Sequence, residues 1–184
     1  MKHVYVPVCY DWESSQAAFE AQARKALLES NGLGFFSCSE NRDARSFGAF
    51  VNRWAYGSIL DVGCGMLAKP VYLDGIESER ITGIDPIEVE HPFRFVKTTI
   101  EDFKFERFDT VICGTVLDHV SDISLAVSKV RQSAFRRIIV WQADEMDEGL
   151  ESLHTYRLSH DALLYLFRGC PLIEKHGDFF CFQP

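Results

Sequence analysis

The sequence predicts an α/β protein with a doubly wound, Rossmann-like sheet of seven mostly parallel strands and an antiparallel hairpin at its C-terminal end. From residue 58 onward, short apolar runs alternate with segments of helical periodicity, which is typical of a parallel sheet covered on both faces. Only Gly177 and Asp178 separate the last two runs, and this spacing predicts a hairpin. The 184 residues suffice for one such domain with a helical extension at its N-terminal side.

Two helices are predicted ahead of the sheet. Residues 14–30 are rich in alanine, and Ser14 or Ser15 can cap their first turn. Residues 42–54 place apolar side chains on one face at helical spacing, and Asn41 is a suitable capping residue before them. Because these helices precede the first strand, we expect them to pack on the sheet or to cover its ligand-binding edge.

The sheet domain is predicted to span residues 58–184, with residues 1–57 forming a helical cap on it. Further helices are predicted over residues 123–134 and 159–169. Residues 86–92 are too few for a crossover helix, so a coil or a single turn is expected there. The predicted strands lie at residues 58–62, 80–85, 93–98, 108–113, 136–142, 171–176 and 178–183.

Composition narrows the classes of function. The formal net charge of −8 argues against a nucleic acid partner, because such a protein needs a basic face to displace counterions. No stretch approaches the roughly 18 consecutive apolar residues of a membrane span. The six cysteines show neither a C-x-x-C pair nor a metal-ligand spacing. We therefore expect no metal site and a cytoplasmic location, where thiols stay reduced.

Two neighbouring apolar runs end in the elements of a nucleoside-binding site. Ile59–Gly65 ends in a glycine turn, which lets the backbone approach a ligand that a Cβ would block. Ile81–Asp85 ends in a carboxylate that can accept hydrogen bonds from a ribose diol. Gly63–Ala68 also fits the dinucleotide pattern G-x-G-x-x-A. Asp61 disfavours a pyrophosphate and suits a cationic ligand.

These motifs, in this order, resemble those of the class I S-adenosylmethionine-dependent methyltransferases. Leu60–Gly65 resembles the family's first motif, which holds the amino-acid part of the cofactor, and Asp85 matches the acid that binds the ribose hydroxyls. Thr99–Phe103 resembles the segment that holds the adenine. Phe108–Gly114 resembles the strand whose end faces the transferred methyl group, and Val116–Val120 follows it as in the family's small-molecule members.

The resemblance implies S-adenosyl-L-methionine as the cofactor, a small-molecule acceptor, and a monomer or homodimer. His119 is then either a general base that faces the acceptor or a hydrogen-bonded structural histidine. Either Glu101 or Asp102 would carry the adenine contact, and the sequence does not decide between them. The residues that the resemblance implies for cofactor binding are Asp61, Gly63, Cys64, Gly65, Asp85, Pro86, Ile100, Glu101, Asp102, Cys113 and Gly114.

Two other functions stay open at this point. Leu67 stands where the family usually has a third glycine, which leaves room for a module that binds the cofactor without catalysing transfer. An NAD-dependent oxidoreductase would need an acid–base pair such as Tyr–Lys, and no such spacing is present. Residues 142–156 and the N-terminal helices are expected to form the acceptor pocket. His154 and His160 have no partner at a recognisable spacing and are expected to be non-catalytic.

Overall fold

A seven-stranded sheet lies at the centre of the computed structural model, which describes residues 5–8, 11–30, 39–144 and 153–184. Within those residues the strands are β1 (Tyr5–Pro7), β2 (Ile59–Val62), β3 (Ile81–Asp85), β4 (Arg94–Lys97), β5 (Phe108–Gly114), β6 (Ala134–Trp141), β7 (Tyr156–Leu158), β8 (Leu172–His176) and β9 (Phe179–Phe182). The helices are α1 (Trp12–Ser30), α2 (Arg42–Trp54), α3 (Ile123–Ser133) and α4 (His160–Leu166).

The order of the strands across the sheet confirms the predicted fold class. It runs β4-β3-β2-β5-β6-β9-β8, and the pairings from β4 to β6 are parallel. Strand β9 pairs antiparallel with both β6 and β8, and Gly177 forms the hairpin turn with φ of 57°. Each predicted strand agrees with the observed one to within two residues at either end.

Helices cover both faces of the sheet, as a doubly wound fold requires. On one face, α3 and α4 pack against a cluster that includes Leu60 and Val111. On the other face, Phe47 of α2 packs against a cluster that includes Ile59 and Ile112. Because successive strand residues point to opposite faces, each adjacent pair supplies one side chain to each cluster. Strands β2 and β3 are buried along their whole length for this reason.

Two helix boundaries differ from the prediction. Helix α1 begins at Trp12 rather than at residue 14, because Asp11 accepts hydrogen bonds from both the backbone and the side chain of Ser14. Helix α4 ends at Leu166, and Gly169 lies three residues beyond it with φ of 90°. The predicted caps of α2 and α4 are confirmed: Asn41 accepts hydrogen bonds from the Asp43 and Ala44 amides, and Ser159 accepts one from the Ala162 amide.

A two-stranded antiparallel sheet, which the sequence analysis did not predict, joins the N-terminal segment to the second half of the chain. Strand β1 pairs with β7, and the Val8 backbone amide donates to the Thr155 carbonyl over 2.9 Å. The indole of Trp12 in α1 donates to the His119 carbonyl over 2.7 Å. These contacts hold α1 over the carboxyl edge of the large sheet. The boundary at residue 57 between a cap and a core stays a prediction.

The connections in the β2–β4 half of the sheet are short. Two 3₁₀ turns, Val71–Leu73 and Ser78–Arg80, lie between β2 and β3. Residues 86–93, between β3 and β4, contain no helix, in agreement with the predicted coil. None of the described helices is both long enough and apolar enough to cross a membrane.

Candidate functional site

A cavity of about 550 Å³ lies where β2, β3 and β5 end. In open α/β sheets, ligands bind outside the carboxyl ends of the strands, and this cavity is at that place. The glycine turn after β2, Asp85 at the end of β3 and Gly114 at the end of β5 all line it. Trp12, Phe19 and further residues of α1 form the opposite wall.

The glycine turn depends on its two glycines in different ways. Gly63 has φ of 69°, and a Cβ there would lie 2.3 Å from Cγ2 of Val116. Gly65 has φ of 73°, and a Cβ there would meet nothing within 4 Å. The amide of Gly63 donates to the Ile84 carbonyl over 2.8 Å, which fastens the turn to β3. Gly63 is therefore required by packing, whereas Gly65 leaves its backbone open to the cavity.

The carboxylate of Asp85 completes the turn. Its Oδ2 accepts a hydrogen bond from the Gly65 amide over 2.9 Å, and its Oδ1 accepts one from the Ile87 amide over 2.8 Å. Burial raises the pKa of Asp85, although these two hydrogen bonds oppose the shift. Each carboxylate oxygen has a second acceptor position. Asp85 lines the cavity, so it can accept hydrogen bonds from the hydroxyls of a ligand while it holds the turn.

Asp61 lies beneath the turn rather than in the cavity wall. It is fully buried, and the hydroxyl of Tyr72 lies 3.2 and 3.1 Å from its two carboxyl oxygens. Burial raises the pKa of Asp61 to about 8. Tyr72 does line the cavity, and its ring also lies 3.3 Å from where a Cβ of Gly114 would be. The sequence analysis missed Tyr72, because the 3₁₀ turn that carries it has no motif of its own.

The segment predicted to hold an adenine lies along one side of the cavity. Ile100 and Glu101 line it, and Asp102 does not. The Glu101 carboxylate is also a structural group: its Oε1 accepts hydrogen bonds from the Ser121 amide over 2.8 Å and from the Asp122 amide over 3.3 Å. Of the two acids that the sequence left open, only Glu101 therefore reaches the cavity, and it fixes the start of α3 as well.

A cluster of Asp118, His119 and His154 forms the wall beyond the end of β5. The Nδ1 atom of His154 lies 3.0 Å from Oδ2 of Asp118, and the two imidazole rings lie 4.4 Å apart. The backbone amides of Thr155 and Tyr156 both donate to the Asp118 carbonyl, which brings His154 to this place. The three ligand-type side chains have nitrogen and oxygen atoms within 4.8 Å of one another, a grouping that can hold a metal ion.

The electrostatics of this cluster follow from its burial. Burial lowers the pKa of His119, although the Asp118 carboxylate opposes the shift. Burial alone would raise the pKa of Asp118, but the two histidines outweigh it and the pKa is lowered overall. At neutral pH we therefore expect an ionised Asp118 beside a neutral His119.

His154 and His160, which have no partner at a recognisable sequence spacing, both have partners in the structure; that they are non-catalytic stays a prediction. His154 contacts Asp118 across 36 residues of sequence. The Nε2 atom of His160 lies 3.0 Å from the Gln142 carbonyl oxygen and 3.1 Å from Oδ1 of Asp178. Both partnerships join segments that are distant in the chain, so no local spacing reveals them.

The structure brings most of the predicted site residues to one cavity. Those that line it are Gly63, Cys64, Gly65, Asp85, Pro86, Ile100, Glu101, Gly114 and His119. Asp61 and Cys113 are fully buried behind it, and Asp102 lies outside it. Of the predicted acceptor segment, Gln142, Ala143, Leu153 and His154 line the cavity, whereas residues 145–152 lie outside the described residues. Binding roles for all these residues stay predictions.

Comparison with known proteins agrees with this geometry. Residues 60–134 match the family model described as a methyltransferase domain. No curated protein matches the sequence. Several solved structures resemble the chain over nearly its whole length, among them three methyltransferases with bound S-adenosylmethionine or S-adenosylhomocysteine. The N-methyltransferase NodS from Bradyrhizobium japonicum WM9, in complex with S-adenosyl-L-homocysteine, has a TM-score of 0.67 and 13% identity, covering 92% of this chain and 98% of that chain.

The second is the 1,6-didemethyltoxoflavin-N1-methyltransferase from Burkholderia thailandensis, with bound 1,6-didemethyltoxoflavin and S-adenosylhomocysteine. Its TM-score is 0.69 at 13% identity, and the match covers 97% of this chain and 94% of that chain. The third is the magnesium protoporphyrin IX methyltransferase ChlM from Synechocystis PCC 6803 with bound S-adenosylmethionine. Its TM-score is 0.56 at 15% identity, and the match covers 90% of this chain and 96% of that chain.

At these identities the structural likeness establishes the fold, and the family match establishes the domain over residues 60–134. The strand order, with β9 inserted antiparallel between β6 and β8, extends that agreement to the C-terminal hairpin. The chain therefore contains a region that matches the methyltransferase domain, and it has the fold of the methyltransferases that it resembles.

Proposed function

We propose that this protein transfers a methyl group from S-adenosyl-L-methionine to a small-molecule acceptor. The observation that carries the proposal is the glycine turn between two buried acids, Asp61 below it and Asp85 beside it, at the edge of the cavity. The neighbouring structures that contain S-adenosylmethionine or S-adenosylhomocysteine support this cofactor. The small molecules in the names of two of them, 1,6-didemethyltoxoflavin and magnesium protoporphyrin IX, support the class of acceptor.

Each part of the cofactor has a matching group in the cavity. Asp85 would accept hydrogen bonds from the ribose hydroxyls, and the backbone of Gly63 to Gly65 would lie along the amino-acid part. Asp61, acting through Tyr72 or directly, would attract the cationic amino group. Ile100 and Glu101 would hold the adenine. Pro86 and Gly114 complete the lining on either side of these contacts.

A dinucleotide fits this site less well. In dinucleotide-binding folds the pyrophosphate lies at the N-terminus of a helix that begins directly after the glycine turn. Here only the two 3₁₀ turns lie between Gly65 and β3, and no α-helix begins there. The absence of such a helix argues against an NAD-dependent oxidoreductase.

A binding module without catalysis is the second candidate, and the state of the cavity distinguishes it. A degenerate site would be filled by Leu67 and by aromatic side chains. Leu67 is absent from the described lining, and the cavity keeps a volume of about 550 Å³ with Asp85, Asp118 and His119 in its wall. An open cavity with polar side chains in its wall favours a protein that still accepts a second reactant beside the cofactor.

The residues of the chain contribute mainly by positioning. S-adenosylmethionine supplies an electrophilic methyl group, so the protein has to align the acceptor and exclude water. Trp12 and Phe19 of α1 cover the cavity and lie beside His119, whose ring is 5.0 Å from that of Phe19. A neutral His119 can accept a proton from an acceptor of weak nucleophilicity. Strongly nucleophilic acceptors do not need this step.

Calorimetry with S-adenosylhomocysteine and, separately, with NAD tests the cofactor. We expect saturable binding of the first and none of the second, and the reverse result would overturn the proposal. A screen of metabolite extracts with methyl-labelled cofactor then tests catalysis, because it shows which molecule takes up the label. A monomeric or homodimeric state and a cytoplasmic location remain predictions from the sequence.

A further inference from the structure

Three side chains at the acceptor end of the cavity form a group that the proposed cofactor contacts do not use. They are Asp118 and His119, which follow β5, and His154, which precedes β7. Their exposed fractions are 11%, 15% and 15%, so each is largely withdrawn from solvent yet lines the cavity. The group offers one carboxylate and two imidazoles, a set typical of sites for first-row transition-metal ions.

Two atoms of this group have unsatisfied hydrogen-bonding capacity. Oδ1 of Asp118 and Nδ1 of His119 are buried and have no hydrogen-bond partner among the described residues. Burying a polar atom without a partner costs about 1–3 kcal/mol. The other carboxyl oxygen of Asp118 faces His154 at 3.0 Å, and Nε2 of His119 lies 3.9 Å from Oδ1. A cation between these groups would satisfy the orphaned oxygen.

The distances suit an ion after a small adjustment. In a tetrahedral site, two ligand atoms that each lie about 2.1 Å from a zinc ion are about 3.4 Å apart. The ligand atoms here lie within 4.8 Å of one another, so side-chain movements of at most about 1.4 Å bring them to that spacing. The ligand types also match, because carboxylate oxygens and imidazole nitrogens both bind divalent transition-metal ions.

We propose that Asp118, His119 and His154 bind one divalent transition-metal ion in the wall of the cavity. Three protein ligands leave at least one coordination position open, as in catalytic zinc sites, and the cavity is where an exogenous ligand can reach it. The ion would hold an acceptor through an oxygen or nitrogen atom. With the ion bound, His119 would act as a ligand, and the ion would take the place of His119 as the group that activates the acceptor. This role rests on the proposed methyl transfer, whereas the binding of the ion does not.

The chemical step balances without a further reactant. An acceptor hydroxyl that is coordinated to the ion would lose its proton to solvent, because coordination to a cation lowers the pKa of the hydroxyl. The resulting oxyanion attacks the sulfonium methyl group; the new O–C bond forms as the C–S bond breaks, and the electron pair stays on sulfur. The products are the methyl ether and S-adenosylhomocysteine.

Titration of the full chain with Co²⁺, followed by visible absorption, tests the site directly. We expect one equivalent to bind with the ligand-field bands of a site that contains nitrogen ligands, and Zn²⁺ to displace it. In His154→Ala and Asp118→Asn we expect the affinity to fall by more than the roughly 10–100-fold that losing a supporting residue costs. His176→Ala is the matched control, because His176 is exposed on β8 and does not line the cavity.

Absent bands in the wild type, unchanged bands in His154→Ala, or bands lost in His176→Ala would overturn the site. Circular dichroism shows whether each variant is folded, and His154→Gln replaces His154→Ala if the alanine variant does not fold. Calorimetry with S-adenosylhomocysteine on the same samples separates the two proposals. Cofactor binding without Co²⁺ binding overturns the metal site alone and leaves a hydrogen-bonded Asp118–His154 pair. Co²⁺ binding without cofactor binding overturns the proposed function alone.

Discussion

The two halves of the cavity are built in different ways. The half proposed for the cofactor consists of a local motif at the ends of adjacent strands, in which the Gly65 amide donates to the Asp85 carboxylate and the Gly63 amide donates to the Ile84 carbonyl. The acceptor half joins α1, the segment after β5 and the segment before β7, which are distant in the sequence. A local motif can be recognised in a sequence, and a single substitution in it affects binding strongly. A wall built from distant segments can be recognised only in the structure, and each of its residues contributes less to binding.

The strongest test of the cofactor half is Gly63→Ala. The new Cβ would lie 2.3 Å from Val116, and φ of 69° is strained for alanine. We expect the affinity for S-adenosylhomocysteine to fall by about 100-fold or more, because the turn must move away from the ligand. This corresponds to a loss of roughly 3 kcal/mol in binding free energy. Calorimetry measures the affinity. Gly177→Ala is the control, because φ there is 57° and nothing lies within 4 Å of the new Cβ. Equal losses in both variants would show that backbone strain alone matters.

Asp85→Asn tests whether the carboxylate serves the ligand as well as the turn. The amide nitrogen would face the backbone N–H of either Gly65 or Ile87, and one acceptor oxygen for the ribose would be lost. We expect a loss of roughly 10-fold in S-adenosylhomocysteine affinity, the size of one charge-assisted hydrogen bond. Asp161→Asn, on the exposed first turn of α4, provides the control in the same calorimetric assay. An unchanged affinity in Asp85→Asn would contradict the ribose assignment.

Asp61 predicts a pH dependence of stability. Its pKa is about 8 in the folded protein, against 3.8 ordinarily. Between these values the unfolded chain has released the proton and the folded chain retains it. The free energy of unfolding therefore falls as the pH rises through this window, by at most about 1.4 kcal/mol per pH unit. In Asp61→Asn we expect a shallower decline and, at about pH 7.5, a gain of more than about 1 kcal/mol in urea unfolding.

Asp109→Asn is the control, because the pKa of Asp109 is shifted in the opposite direction to that of Asp61. Hydrogen bonds from Ser58, with a further contribution from Arg136, lower the pKa of Asp109. This group therefore stabilises the fold above its unfolded pKa and loses that contribution as the pH falls, so its amide variant is expected to be less stable near neutral pH. Identical pH profiles for the wild type and Asp61→Asn would contradict the raised pKa of Asp61.

The smallest effect is expected in the acceptor half. Trp12→Phe removes the 2.7 Å hydrogen bond from the indole to the His119 carbonyl, which holds α1 over the cavity. A hydrogen bond of about 1 kcal/mol corresponds to roughly a fivefold faster opening of α1, measured by amide hydrogen exchange. Trp54→Phe removes a comparable hydrogen bond to Glu174 elsewhere in the structure, and in that variant we expect amide hydrogen exchange in α1 to stay unchanged. No change in Trp12→Phe would show that other contacts hold α1.

The same division explains what the sequence could predict. The alternation of apolar runs and helical segments predicted the seven strands of the large sheet, because buried parallel strands are short apolar runs bounded by turns. The turn at Gly63 and Gly65 was predictable, since only glycine readily adopts its backbone angles. The partnership of Asp118 and His154 was not, because it depends on how β7 is placed against the segment after β5. The contact between Tyr72 and Asp61 was not predicted either, because Tyr72 belongs to a short 3₁₀ turn that no sequence motif marks.

The proton on Asp61 has a thermodynamic consequence for ligand uptake. A cationic group that approaches the Asp61–Tyr72 pair favours the ionised carboxylate, so at neutral pH the proton is expected to leave as the ligand arrives. Up to one proton per site would then pass to the buffer, and the observed heat of binding would vary with the ionisation enthalpy of that buffer. Titrations in phosphate and in Tris measure this difference, and Asp61→Asn should abolish it. Equal heats in both buffers would show that Asp61 keeps its proton throughout.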